Sequence, residues 1–303
     1  MHNEANKKNN KQVKHLIGIT FIGSGSKGNA ALLELAGQYF LLDAGLSCRR
    51  IKEFLEQRNL EFSDLSGIFI THEHDDHIKG LRVVLGRAEG IPLFCTRGTM
   101  CALSARGLSA NYTELVYGRS LELGGCSCLP FRVPHDATEP TGLRFESSGK
   151  VMTLATDLGH VTPEVLEHMK DADLVCIESN YDEDMLRASS YPLWLKRRIR
   201  SPMGHLPNEG VRGILSRMSK VPEILVLMHI SQESNTPALA IEALETFFAN
   251  SGAKFRSARL SITAQDTPGE RLMLGSPLPE NLKKHLLEKG HAQPARPMVA
   301  INQ

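Results

Sequence analysis

The 303-residue chain has little of what would mark a fibre, a membrane span or a disulfide-stapled scaffold. Its six cysteines (Cys48, Cys95, Cys101, Cys126, Cys128, Cys176) are too few to staple a chain of this length, and most lie in apolar, strand-like text. They read as reduced thiols. Cys126 and Cys128 are separated by a single residue, not the two to four of a zinc hook, and no second pair lies nearby, which argues against structural zinc. Long apolar runs are also missing. The longest strings are about the length of Ile224 to Met228, against about 20 residues for a membrane helix, so no membrane partner is expected. Excess charge of either sign is absent: with a formal net charge of +1, a polyanion must be held by a local site or patch. The opening segment, MHNEANKKNNKQVKH, is lysine-rich but has no apolar core, so it lacks the body of a secretory signal and a cytoplasmic location is expected.

What remains is an ordinary globular composition, 41% apolar and 23% charged. Strand-like runs fall at Leu16 to Ile22, Tyr39 to Asp43, Gly67 to Thr71, Ser127 to Pro134, Gly142 to Glu146, Val151 to Thr156, Leu174 to Glu178 and Glu223 to His229. Helical spacing predicts helices over Ser47 to Arg58 and Ile78 to Ala88. Thr162-Pro163 and Thr236-Pro237 each pair an N-cap hydroxyl with proline at the first helical position, opening helices to about Lys170 and Asn250. The alternation points to a mixed α/β body over residues 15–275. A polar, mobile segment is expected at 1–14, and a proline-bearing, partly disordered extension at 276–303.

One segment stands apart. Ile68-Phe-Ile-Thr71 runs into His72-Glu73-His74-Asp75-Asp76-His77, so three imidazoles and a ligand carboxylate leave the end of a buried strand. In extended backbone His72 and His74 project to the same side and can face one cation, while the turn into the next helix brings Asp76 and His77 to a second position nearby. Imidazole and carboxylate are the donors of Zn²⁺ and of harder ions such as Mn²⁺. Further candidates stand at later strand ends: His135, Asp157 and His229. Two metals sharing a carboxylate need about seven donors, and His72, His74, His135, Asp76, His77, His229 and Asp157 make that number. His2, His15, His285 and His291 lie in terminal segments, and His168 is expected on the exposed side of a short helix; none is given a role.

These residues in this order resemble the metallo-β-lactamase-fold superfamily, whose signature is a His-x-His-x-Asp-His loop followed by His, Asp and His on successive strands. The resemblance implies an αβ/βα sandwich of two mixed sheets flanked by helices, with two metals at one edge. It also implies that Asp43 supports the metal loop without ligating. The commonest true β-lactamases carry Arg where His77 stands, and flavodiiron proteins carry Glu in place of the second His, so both are disfavoured.

The likeness narrows to the bacterial YycJ/WalJ/VicX-type hydrolases. It is carried by Gly23-Ser-Gly-Ser-Lys-Gly-Asn29, Thr71-His-Glu-His-Asp-Asp-His-Ile-Lys-Gly80, Glu178-Ser-Asn180, Ser201-Pro-Met-Gly-His-Leu-Pro-Asn-Glu209 and His229-Ile-Ser-Gln-Glu-Ser-Asn-Thr-Pro237. Pro207 departs from the usual serine. The likeness implies a metal-dependent 5′-to-3′ exonuclease with a nucleic-acid partner, DNA before RNA; a homo-oligomer stays open. The Gly/Ser loop independently offers backbone N–H groups, the hydroxyls of Ser24 and Ser26 and the ammonium of Lys27, which suits a phosphate. Asn29 and Asn208 join that expected phosphate set. His205 precedes an amphipathic helix with Val211, Ile214, Leu215 and Met218, where an anionic oxygen is favoured. By likeness to ribonuclease Z-type phosphodiesterases, His205 contacts the scissile phosphate beside the strand-end Glu178. The expected catalytic set is therefore Asp76, His205 and Glu178.

Within phosphodiesterases, ribonuclease Z-like or cyclic phosphodiester hydrolysis is the alternative. The stretch from His135 to Asp157 is too short for ribonuclease Z's long exosite arm. Thioesterase or glyoxalase II-type hydrolysis is the more distant rival, since those enzymes lack the Gly-His motif before the last ligand. Finally, Lys196-Arg197-Arg198-Ile199-Arg200 and Lys27 are expected to line one groove and bind flanking phosphates.

Overall fold

The computed structural model describes residues 17–250, 258–274 and 299–300. The expected polar segment at 1–14 and nearly all of the extension at 276–303 lie outside the described residues. The strands are β1 (Ile17–Gly23), β2 (Ala30–Leu35), β3 (Gln38–Leu42), β4 (Leu65–Phe69), β5 (Leu93–Cys95), β6 (Tyr112–Glu114), β7 (Leu121–Glu122) and β8 (Ser127–Arg132), then β9 (Thr141–Ser147), β10 (Lys150–Ala155), β11 (Leu174–Glu178), β12 (Ile224–Met228), β13 (Arg259–Ile262), β14 (Leu272–Leu274) and β15 (Val299–Ala300). They form a seven-stranded sheet in the order β14-β1-β2-β3-β4-β5-β6 and an eight-stranded sheet in the order β15-β13-β12-β11-β10-β9-β8-β7.

Inner and outer faces alternate along the central strands. On β1, β2 and β3, Ile17, Ile19, Leu33 and Phe40 face inward to meet Phe145, Met152, Leu154, Cys176 and Val226 of the other sheet. The alternate positions are apolar too. Leu32, Leu41 and Ile68 pack outward on helix residues Ile51, Phe54, Leu81 and Leu103, and Val175, Leu225 and Leu227 pack on Val165, Ile214 and Leu244. Strands covered on both faces read as unbroken apolar runs. This is the expected αβ/βα sandwich.

The helices follow their caps. Ser47 accepts from Arg50 N at the start of α1 (Cys48–Glu56). The expected helix at Ile78 to Ala88 is broken into α2 (Asp75–Ile78) and α3 (Leu81–Arg87). The break follows from a bond diverted out of the helix: Gly80 N donates to Ala44 O, and only glycine fits there, since a Cβ would stand 2.0 Å from the carbonyl oxygen of Leu46. After α4 (Arg97–Ala105), Thr162 caps α5 (Pro163–Met169) as expected. Then come α6 (Glu183–Ala188), α7 (Leu193–Ile199), α8 (Asn208–Leu215) and α9 (Pro237–Asn250), the last entered by Thr236 Oγ1 accepting from Leu239 N. Short edge strands and β2 escaped the sequence reading because three to six apolar residues carry no decisive period.

The topology places the site. β3, β4, β5 and β6 run parallel, as do β10, β11, β12 and β13. β1 and β8 rejoin those directions through two antiparallel steps each. The carboxyl ends of β1, β3 and β4, and of β8, β10, β11 and β12, therefore gather at one rim of the sandwich. Three residues there, Asp43, Asp157 and His229, take left-handed backbone angles (φ 56°, 53° and 56°). Non-glycine residues held in that region cost free energy, and such strain concentrates at functional sites.

Candidate metal centre

The loop after β4 carries His72 and His74, and the strand end after β8 carries His135. One ring nitrogen from each lies within 4.8 Å of the others. His135 Nε2 stands 3.1 Å from His74 Nδ1, while His135 Nδ1 faces Gly204 O at 3.0 Å. His72 Nε2 is buried and has no hydrogen-bond partner. A buried polar atom without a partner is rare in a folded protein, and here it points into a cluster of imidazoles. Burial pushes the His72 and His135 imidazoles below their usual value, which keeps both rings in the neutral, metal-binding form.

A second cluster adjoins the first. Asp76, His77, Asp157 and His229 bring one donor atom each within 4.8 Å of one another. Asp157 stands between the clusters: its Oδ2 lies 3.1 Å from His77 Nε2, and its Oδ1 lies 3.5 Å from His229 Nε2 and 3.9 Å from His135 Nε2. Burial alone would raise the Asp157 carboxyl, but the charge of His229 and His77 overrides it and holds the group well below the carboxylate range. Burial likewise opposes charge on His229, yet Asp157, Asp76 and Glu178 push it up to about 10. Carboxylates that hold buried imidazoles positive form the negative nest that a divalent ion answers. The donor set and the partnerless His72 nitrogen fit divalent metal binding.

Each ring is aimed from behind. Asp43 Oδ2 lies 2.8 Å from His77 Nδ1, and the same carboxylate accepts from Thr71 N and Oγ1. Glu178, fully buried, accepts from Leu158 N and Leu206 N through Oε2, while its Oε1 faces His205 Nδ1 at 2.8 Å and His229 Nδ1 at 3.0 Å. With Nδ1 turned to a carboxylate, Nε2 of His77 and of His229 faces Asp157 and Asp76 in the donor cluster, the arrangement that partners behind a metal ligand enforce. His205 Nε2 makes no hydrogen bond among the described residues. The ring lines a cavity of about 200 Å³ with Ser26, His74, Asp76, Asp157 and His229.

Residues 38–230 match the family described as a beta-lactamase superfamily domain. The chain belongs to that superfamily. Its relatives include the exodeoxyribonuclease WalJ of Streptococcus pneumoniae serotype 2, 35% identical over 227 residues that cover 73% of this chain and 84% of WalJ. The exodeoxyribonuclease YycJ of Bacillus anthracis is 34% identical over 226 residues, covering 73% of this chain and 85% of YycJ. Among solved structures, the metallo-β-lactamase fold protein YhfI from Bacillus subtilis superposes with a TM-score of 0.64 at 13% identity, over 86% of this chain and all of YhfI, a likeness of fold. No helix among the described residues is long and apolar enough to cross a membrane.

All seven expected donors of this superfamily member converge at one rim, and Asp43 stands behind them as expected. The phosphate set needs correction. Ser24, Asn29 and Asn208 are 1%, 4% and 1% exposed, and their side chains bond inward. Ser24 Oγ donates to Asn29 Oδ1 and accepts from His229 N. Asn29 Nδ2 lies 3.1 Å from His77 Nε2, and Asn208 bonds with Ser179 and Asn235. These three brace the rim and, being buried, do not face a phosphate. Ser26 and Lys27 remain exposed.

The groove expected at Lys196 to Arg200 is formed in part: Arg198 lines the cavity of about 200 Å³ with His205, Asp76 and Asp157, but the cations of this segment are mostly paired. Lys196 Nζ donates to the carbonyls of Arg187 and Ser189, Arg198 forms a two-point pair with Asp136, and Arg200 pairs with Glu183. Among the described residues, only Arg197 of the four cations has no side-chain partner. His168 is half-buried and stacks on Phe131 at 4.6 Å, where exposure was expected. The exposed His160, to which the sequence reading gave no thought, faces Pro202 O at 2.9 Å. Asn180, whose Nδ2 reaches His229 O at 2.9 Å, was given no role either. Its signal was period two: Glu178 and Asn180 share one side of an extended segment.

Proposed function

We propose that this protein is a two-metal phosphodiesterase acting on nucleic acid, a 5′-to-3′ exonuclease on DNA, at work in the cytoplasm. One ion, Zn²⁺ or Mn²⁺, is assigned to His72, His74 and His135, the other to Asp76, His77 and His229, with Asp157 bridging. The observation that carries the reading is the 2.8 Å pairing of His205 with Glu178 at the edge of the donor cluster. That pairing provides a carboxylate-held ring facing the cavity, beyond the seven assigned donors. The chain's likeness to the exodeoxyribonucleases WalJ and YycJ supports the same reading. Thioesterase chemistry has no comparable support.

Ions held at these donors would lower the pKa of a bound water and neutralise charge growing on the phosphoryl oxygens. Asp76, 3.3 Å from His229 Nε2, is placed to position or take the attacking water's proton. His205 keeps Nδ1 on Glu178 and turns Nε2 to the leaving oxygen, donating a proton there or stabilising its charge. Leu206 N and Leu158 N hold Glu178 in place, so the ring keeps its orientation through the reaction.

The test is incubation with end-labelled single- and double-stranded DNA and RNA, and with a cyclic nucleotide, in Mn²⁺, Zn²⁺ or Mg²⁺. Mononucleotides released progressively from the 5′ end of DNA are expected. Cleavage confined to RNA or to the cyclic substrate would replace the reading with the ribonuclease Z-like or cyclic phosphodiesterase alternative.

A further inference from the structure

A larger cavity opens beside the donor cluster, and its character is different. It measures about 910 Å³ and is lined by Lys27, Arg49, Arg50, Lys52, Lys79 and Arg87, against which its lining sets the single acid Asp266. The floor is the backbone of Gly45, Ser47 and Gly80 with the side chains of Leu46 and Val83. For a chain of net charge +1, this is a strong local concentration of positive charge.

Three of these cations are unspent. Arg50 is tied to the carbonyls of Ile22 and Gln265, Arg49 pairs with Glu53, and Lys52 with Glu56. Lys27, Lys79 and Arg87 are exposed and have no side-chain partner among the described residues. Three exposed cations that face one hollow without a carboxylate partner are free to meet phosphates.

The cavity also joins the donor cluster through a shared wall. Asn29 N donates to Asp76 O, Gly45 N to Asn29 O, and Ala44 N to His77 O. A Cβ on Gly45 would stand 1.7 Å from Asp76 O, so the wall is a single layer of touching backbone. Along the turn between β1 and β2, Ser26 lines the small cavity with His205 and Asp157, and the next residue, Lys27, lines the basic one. A strand passing over that turn goes from one hollow into the other.

We infer that this basic cavity holds the phosphodiester backbone of the substrate strand next to the bond that is cut. The inference rests on the phosphodiesterase reading above. Contacts are to phosphates and carry no base preference.

The experiment titrates the full-length, metal-loaded protein against fluorescent single-stranded DNA with nuclease-resistant phosphorothioate linkages, by anisotropy, over a range of salt. In Lys79→Gln/Arg87→Gln, the slope of log affinity against log salt should fall by about 0.7 per lost contact, about 1.4 in all. The ratio of turnover on DNA to turnover on bis(p-nitrophenyl) phosphate should fall with it. The charge-keeping Lys79→Arg/Arg87→Lys should restore the parental slope, and metal content and melting temperature check that the variants are folded. An unchanged slope in the double glutamine variant overturns the inference, as does a flattened slope in Arg197→Gln instead. A parent that cleaves no phosphodiester, yet binds DNA with a slope the double variant flattens, overturns the proposed function and keeps the cavity.

Discussion

His205 Nδ1 lies 2.8 Å from Oε1 of Glu178, and that same oxygen stands 3.0 Å from Nδ1 of His229. One buried carboxylate therefore sets the tautomer of a ring assigned to the leaving group and of a ring assigned to a metal. Four donors converge on it, two rings and two backbone amides. No neutral side chain of the same shape can serve all four.

Glu178→Gln is expected to injure both functions at once. If its amide oxygen faces Leu158 N and Leu206 N, its NH₂ confronts the two imidazoles and forces their protons to Nε2, the atoms needed elsewhere. Turnover should fall by about 10² or more, with metal affinity down by about 10- to 100-fold. Metal analysis after gel filtration, read beside kcat, checks this; full occupancy with parental kcat would remove Glu178 from the mechanism.

His205→Ala should separate what Glu178→Gln confounds. The ring partners Glu178 and lines the cavity, so its loss should leave metal content intact and lower kcat by about 10² to 10⁴. Loss of metal in this variant would make His205 a ligand and displace His229 from the assignment.

Asp43→Asn probes His77 from behind. The asparagine oxygen can still accept from Thr71 N and Oγ1, but its NH₂ cannot accept from His77 Nδ1. Metal affinity should drop by about 10- to 100-fold while saturating metal recovers most of the turnover. Titration of metal into chelated protein, followed by activity, gives the shift directly.

Chelation should lower the melting temperature as well as activity, because the ions bind the folded state alone. At a free metal concentration of about 100 times Kd, binding stabilises by about 2.7 kcal/mol, worth about 5 to 10 °C for a domain of this size. Asp157→Ala should have no turnover and a much smaller response to added metal. A parental response to metal in that variant would refute the bridging role.

The donor loop was legible because its residues are neighbours in sequence: His72, His74, Asp76 and His77 announce themselves without a fold. His135, Asp157 and His229 were legible as polar residues ending apolar strands, and parallel pairing brought those ends together. The direction of a hydrogen bond is not written in residue type. Ser24, Asn29 and Asn208 look like a phosphate cradle in one dimension and prove to be braces in three. The break at Gly80 was hidden because its cause is the carbonyl of Ala44, supplied by another loop. The basic cavity was hidden for the same reason, since Lys27, Lys79 and Arg87 come from three separate segments.

His229 N donates to Ser24 Oγ at 2.9 Å across 205 residues of sequence. The bond ties the rim of the first sheet to that of the second, so the site does not exist until the sheets have docked. Contacts of such separation form late and slowly. A nascent chain that has emerged only as far as the His72 to His77 loop holds half a donor set on an open face. Completion of the donor set therefore waits until the chain has been made past His229.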